Sequence, residues 1–496
     1  MTDPQTQTPV MMQDFATRIE LEKLAEIITL QPATLDTLVQ QGTATTIRTF
    51  RFHLEARRFQ RQQRALTLFG RSLRWLPVRW QAKLAPRIGP LLCARMLGAI
   101  NPYKAARIAR RQAPDFLAQC TRYVEPAAAK PLLSQLPVEL IQAGTLILAQ
   151  QGEYRTLARL ADAVSLPAIR ALANSIEDDA ALLNIAFHMD DMAQLNKIVL
   201  MLNNERIERI VHASVVNPSL WHKALWVVTN LDDSLITRLA NRVAERSIAD
   251  LEQLIAVSQQ QQLWAPTLQL ISYVHPRHYR KILNLPVLHE QPVMQALVNT
   301  ALEQNLVGEV LGLVQYTTPV FQKLIASTTL SQGAQIAEAV LQAAYDANRL
   351  DVILDMAQLL DDTHKDQLAQ LDIVSDHWFL DRLMQTASAT GKLGALLDFA
   401  RRMTPKGLNA VAELSLKNDG DLIEALLNEA RKREDGWELL SGALSGVVER
   451  ALMAPIYDIY KRQPAEDQAA LAKALDQLAQ KTGFAAFLTT AAKSAD

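Results

Sequence analysis

The chain has 496 residues, 49% of them apolar, 21% charged and 6% aromatic, with a net charge of −1. That length is several times one compact domain and implies either several domains or a repeat array. Only 17 Gly and 2 Cys among many Ala and Leu exclude a disulfide framework and a strand-rich fold, so an all-α protein is expected.

The opening stretch, MTDPQTQTPVMMQD, has neither a basic n-region nor an apolar h-region, and it does not read as a signal peptide. Residues 1–15 are expected to be a disordered lead-in, and 16–112 an N-terminal helical region. Within it, 17–59 reads as three helices, broken at Gln31-Pro32 and Gln41-Gly42. A helix-turn-helix can be drawn through this segment, but small helical bundles share its pattern.

From Ala56 to Pro114 the chain holds twelve Arg, two Lys and no acid, so the remainder carries −15. In ALTLFGRSLRWLPVRWQAKL, Leu66, Leu68, Phe69, Leu73, Leu76, Val78 and Leu84 interleave with basic residues. Trp75 and Trp80, two of seven tryptophans, stand in the middle, and indole favours the headgroup boundary of a membrane. The candidate anion-binding residues are Arg57, Arg58, Arg61, Arg64, Arg71, Arg74, Trp75, Arg79, Trp80, Lys83 and Arg87. The membrane reading is favoured over nucleic acid, because the block lacks stacking platforms, RGG repeats and a groove-reading helix. Pairing with the acidic remainder of the same chain, or with an acidic protein, are the other readings. The apolar run IGPLLCARMLGAI is too short to span a bilayer and is interrupted by Arg95, so a cytoplasmic protein, peripheral at most, is expected. Cys93 and Cys120 read as small buried side chains in a reducing compartment.

In APDFLAQCTRYVEPAAAKPLLSQLPVELI, Pro114, Glu125-Pro126 and Leu136-Pro137 each open a short apolar helix, at intervals of 11 or 12 residues. Residues 98–215 thereby resemble the cytosolic helical N-domain of MgtE-type magnesium transporters. The resemblance implies a right-handed stack of short helices. It does not extend to transport, because no transmembrane region and no nucleotide-sensing domain is recognisable, and the family's acidic ion-binding positions do not map onto this chain either.

From residue 113 to 461 the pattern is repetitive. The segments 137–173, 180–211, 291–325, 334–371 and 376–414 each open with an apolar helix, pass through a short polar turn and enter a second apolar helix. A third, shorter helix follows, introduced by Pro or a capping residue as in Ser165-Leu166-Pro167 and Thr404-Pro405. Ala301, Ala344 and Ala387 recur every 43 positions, and Leu354 and Leu397 read as inter-repeat core. That period predicts a right-handed α-solenoid of the HEAT or armadillo kind. Residues 462–496 read as capping helices, with Pro464 at the start, Glu466 and Asp467 in the first turn, and Gly483 as a left-handed stop.

Chemistry is sparse. There is no Walker A loop, G-x-G-x-x-G, G-x-S-x-G or H-E-x-x-H motif, and no cofactor is expected. His275 and His278 stand among Arg277, Arg280 and Lys281, which repel a cation, so they read as surface residues. Glu177 and Asp179, Asp232-Asp233 and Asp361-Asp362 read as helix caps. The expectation is therefore a non-enzymatic scaffold with a protein partner on its concave face. Its rivals are a nucleic-acid-binding repeat protein and a metal-dependent hydrolase built on His188, Asp190 and Asp191, although HMDDM reads better as an interhelix turn.

Overall fold

Proline sets many of the helix starts, because its missing N–H is unpaired there in any case. In the computed structural model, Pro90, Pro102, Pro114 and Pro126 each sit in the first turn of a short helix, and Pro137 caps Val138–Gln150. The structure describes residues 10–29, 35, 42–60, 76–97, 100–161, 163–417, 421–478 and 483–493. Their regular secondary structure is helical, and no strand occurs among them. The chain divides into two compact units, Met1–His278 and Tyr279–Asp496. In each, a helix packs mainly on the next or next-but-one along the chain, the contact pattern of an α-solenoid.

The second unit shows the repeat most plainly. Gln291–Glu303, Val307–Val314 and Pro319–Ser331 form one three-helix set; Ala334–Asp346, Leu350–Leu359 and Asp362–Ala369 form the next; His377–Ala389, Leu393–Ala400 and Pro405–Lys417 form a third. Three local devices recur at the 43-residue interval. Gln262, Asn305, Asn348 and Gly391 adopt left-handed backbone between the first and second helices. At each turn the next residue's N–H closes back on a carbonyl five positions earlier: Leu263 to Ser258, Leu306 to Ala301, Arg349 to Ala344 and Lys392 to Ala387, all at 2.8 Å. This is a Schellman stop, and it explains why the small buried alanines keep the period.

The third device starts the third helix. Thr318, Asp361 and Thr404 accept from the N–H groups of Phe321, His364 and Gly407. His275 stands one period earlier, where its Nδ1 accepts from Arg277 N–H. Adjacent repeats are also tied by side chains 34 positions apart, as from Arg242 to Glu208, Arg382 to Asn348 and Asp372 N–H to Glu338. Leu354 and Leu397 are buried in the core of the second unit, as their spacing predicts.

Two expectations are corrected. The first helix begins at Val10, inside the stretch read as a disordered lead-in. Gly483 opens the last helix, Gly483–Lys493, instead of stopping the one before it. Its φ of +55° is left-handed, and a Cβ there would meet the carbonyl oxygen of Val447 at 2.2 Å. Glycine is required by close approach at that point. Ala465–Asp476 starts after Pro464 with Glu466 and Asp467 in its first turn, and Asp467 also accepts two hydrogen bonds from Arg431 (2.5 and 2.9 Å).

Candidate functional site

The basic region is carried on helices whose small residues face inward. We label the first three described helices α1 (Val10–Ile28), α2 (Ala44–Gln60) and α3 (Val78–Ile88). Helix α3 starts after Pro77 and stops at Gly89, whose φ is +90°. It buries Gln81, Ala82 and Ala85, which leaves Arg79, Trp80, Lys83 and Arg87 on the outside. Trp80 is 66% exposed, so it is not a core tryptophan. The helix Pro102–Ala109 repeats the arrangement, burying Ala105, Ala106 and Ala109 and exposing Tyr103 and Arg107. Arg110 and Arg111 follow, both exposed.

None of Arg79, Lys83, Arg87, Arg107, Arg110 and Arg111 forms an ion pair among the described residues. Arg110 donates to the Gln135 carbonyl (2.7 Å), which leaves its charge unneutralised. The intramolecular pairing considered for this block is therefore absent at these six positions. Arg57 is exposed near the end of α2, and Arg58 lies on the same helix. Arg61, Arg64, Arg71, Arg74 and Trp75 lie outside the described residues.

A second cluster was not foreseen. Helices α1 and α2 pack on each other and dock on the face of the first unit that presents Phe187, Asp190, His222 and Trp226. Arg51, 3% exposed, donates to both oxygens of Asp190 (2.6 and 3.1 Å) and through Nε to Glu20 (3.1 Å). Burial alone would raise the Asp190 carboxyl; the Arg51 hydrogen bonds and charge outweigh it and hold the group below its usual range. Lys23, 2% exposed, makes no hydrogen bond among the described residues. Its ammonium lies 5.0 Å from the Phe187 ring centroid and 5.3 Å from that of Trp226. Burial pushes it down to about 8, against the pull of Glu20 and Asp190. Glu22 reaches His222 (3.3 Å), and Glu55 pairs with Arg155. In the sequence these charges look like a solvated helix face; the one available signal was that Arg48 and Arg51 precede the acid-free span and share α2 with Glu55.

His188, Asp190 and Asp191 do not converge on a common point. Asp190 is held by Arg51, and Asp191 caps Met192–Met201 by accepting from Gln194 N–H (3.0 Å). His188 is buried edge-on to Phe187, with Nε2 3.5 Å from Glu26. Burial, with Lys23, Lys223 and Arg155 around it, pushes the imidazole down to about 3. His275 and His278 have ring nitrogens engaged by Arg277. Among the described residues, no group of three or more His, Cys, Asp or Glu is placed to hold a metal ion. Cys120 is buried and its thiol is pushed up to about 12, chiefly by that burial, while Cys93 donates to the Ala85 carbonyl (3.3 Å).

The fold defines an all-α helical-repeat protein, and no described helix is long and apolar enough to cross a membrane. No family model matches the chain, and no curated protein matches it. Among solved structures, it is similar to a circular tandem repeat protein "with novel repeat topology and enhanced subunit contact surfaces", at 12% identity and a TM-score of 0.13, covering 97% of this chain and 100% of that one. A superposition that slight bears on neither fold nor function.

Proposed function

We propose that the protein is a non-enzymatic helical-repeat scaffold, attached peripherally to an anionic membrane face through its acid-free N-terminal helices and carrying a protein partner on the helical stack. One observation supports this above the others: α3 turns Arg79, Trp80, Lys83 and Arg87 to solvent with no acid paired to them among the described residues. A lone basic face is costly through self-repulsion unless it meets an anionic surface. Each cation at such a surface contributes about 1 kcal/mol, and an exposed indole adds insertion at the headgroup level.

Vesicle flotation tests the reading. The protein should float with vesicles containing phosphatidylglycerol and not with pure phosphatidylcholine, and salt should release it. Replacing Arg79, Lys83 and Arg87 by Glu should abolish flotation, and Trp80→Ala should weaken it. Salt-sensitive binding to single- or double-stranded nucleic acid, indifferent to Trp80→Ala and without flotation, would replace this proposal with nucleic-acid attachment.

A further inference from the structure

The helix Val138–Gln150, VELIQAGTLILAQ, is one of the most apolar in the chain, yet it buries only Thr145 and Leu148. A repeat helix of the same length in the second unit, His377–Ala389, buries Phe379, Leu380, Leu383, Met384 and Ala387. The shortfall has a location. A cavity of about 280 Å³ runs through the first unit, walled by Leu140, Ile141, Leu157, Leu160, Leu172 and Ile185 among others, all six half-buried. Gly144 lies on its wall, and a Cβ added there would meet nothing within 4 Å, whereas at Gly308 or Gly446 it would collide with a neighbour.

The lining is hydrocarbon almost throughout. Of the three wall hydroxyls, those of Thr121 and Ser214 donate to their own helices, at the Leu117 and Ile210 carbonyls, and the third belongs to Thr145. Dry apolar cavities of about half this volume already take small apolar molecules. A flexible hydrocarbon chain fits.

The wall is continuous in sequence with basic residues. Leu97 and Ala109, from the basic region, line the cavity, and Leu97 and Leu160 each pack against the cluster of Ala94, Cys120, Val124 and Ala129. Arg110 follows Ala109 directly. Arg159, beside Leu160, is half-buried and makes no hydrogen bond or ion pair among the described residues. A second cavity, beneath the inner face of α3, shares Leu97, Ala109, Leu117, Cys120 and Leu132 with the first.

We propose that this cavity takes one acyl chain of an anionic phospholipid drawn from the membrane face, with the headgroup held by Arg110 and Arg159, the chain neighbours of the wall residues Ala109 and Leu160. The inference rests on the attachment reading for the source of the lipid, and goes beyond it in making the protein a lipid-binding one.

The full chain is incubated with vesicles of phosphatidylcholine and phosphatidylglycerol carrying a diazirine in one acyl chain, irradiated, and the cross-links mapped by mass spectrometry. Cross-links should fall on 138–161, and native mass spectrometry of re-isolated protein should show one phosphatidylglycerol per chain. Gly144→Trp, which fills the cavity, should lower that retention at least tenfold while leaving flotation intact, and Gly144→Ala should retain lipid. Cross-links confined to 76–88, retention unchanged in Gly144→Trp, or retention of free fatty acid without phospholipid would each overturn the proposal. The cross-link map of the unaltered chain decides even if Gly144→Trp does not fold. Flotation on the same samples reports attachment separately, so loss of flotation and loss of acyl cross-links are distinguishable failures.

Discussion

Arg51 and Asp190 stand 139 positions apart and are joined by two hydrogen bonds, from Nη2 to Oδ1 and Nη1 to Oδ2, at the junction of the N-terminal helices with the repeat stack. Because the same guanidinium also holds the buried Glu20, its removal leaves both carboxylates with only the longer Arg48 contacts, at 3.9 and 3.7 Å. Arg51→Met is expected to cost about 3 kcal/mol of stability, measured by denaturant unfolding. In a double-mutant cycle with Asp190→Asn the two losses should be far from additive.

Lys23 is a buried ammonium with aromatic neighbours and no hydrogen bond among the described residues. In the fold it titrates near pH 8, in the unfolded chain near 10.5, so between these values the unfolded chain holds the extra proton. The cost of burying the charge is present in full below pH 8 and is relieved as pH rises towards 10.5. Lys23→Met should therefore be more stable than the parent at pH 7, by about 1–3 kcal/mol, with the advantage shrinking above pH 8. A less stable variant would show that the ring contacts outweigh desolvation.

His188 gives the opposite end of the pH scale. Its imidazole stays neutral in the fold down to about pH 3, against 6.5 unfolded. Across that window the unfolded chain carries one more proton, so stability falls as pH drops, by up to about 1.4 kcal/mol per unit. Glu22, Glu26, Lys23, Lys223 and Arg155 share the surroundings, and comparison with His188→Gln isolates the histidine. The variant should show a shallower loss between pH 6 and 4 in thermal melts.

The repeat turns allow a clean backbone test. Gly391 has φ +70° and an added Cβ would meet nothing within 4 Å, so Gly391→Ala should cost about 1 kcal/mol from conformation alone. Gln262 holds the same place in its own repeat with a side chain that disfavours it; Gln262→Gly should raise stability by up to about 1 kcal/mol. Equal and opposite shifts in melting temperature would establish the common turn.

These turns also show what was legible before the structure. The 43-residue recurrence of Ala301, Ala344 and Ala387 was visible because a buried stop tolerates only a small side chain, but its equivalent at Ser258 was passed over, since Ser and Gln262 carry no left-handed signal. HMDDM was recognisable as a turn; that Asp190 also receives Arg51 was not, because a pairing across 139 residues leaves no local trace. The basic side chains that α3 exposes, Arg79, Lys83 and Arg87, stand four apart in the sequence, the spacing of one helix face. The cavity could not be read from composition, because Val138–Gln150 has the same apolar pattern whether or not a neighbour fills it.

The length of the Arg51–Asp190 tie has a consequence for synthesis. Among the described residues, contacts outside the docking of α1 and α2 close mostly within about one repeat, but α1 is made roughly two hundred residues before Trp226, on which Phe15 and Lys23 rest. At about 5–20 residues per second, that is about 10–40 s of waiting on the ribosome. During it α1 and α2 shelter Leu21, Leu24 and Ile47 against each other, while Glu20 and Lys23 remain hydrated. The charges that are expensive in the finished molecule thus keep the nascent pair soluble. Chains arrested before Asp190 should be cut by trypsin at Lys23, and chains carried past Trp226 should resist.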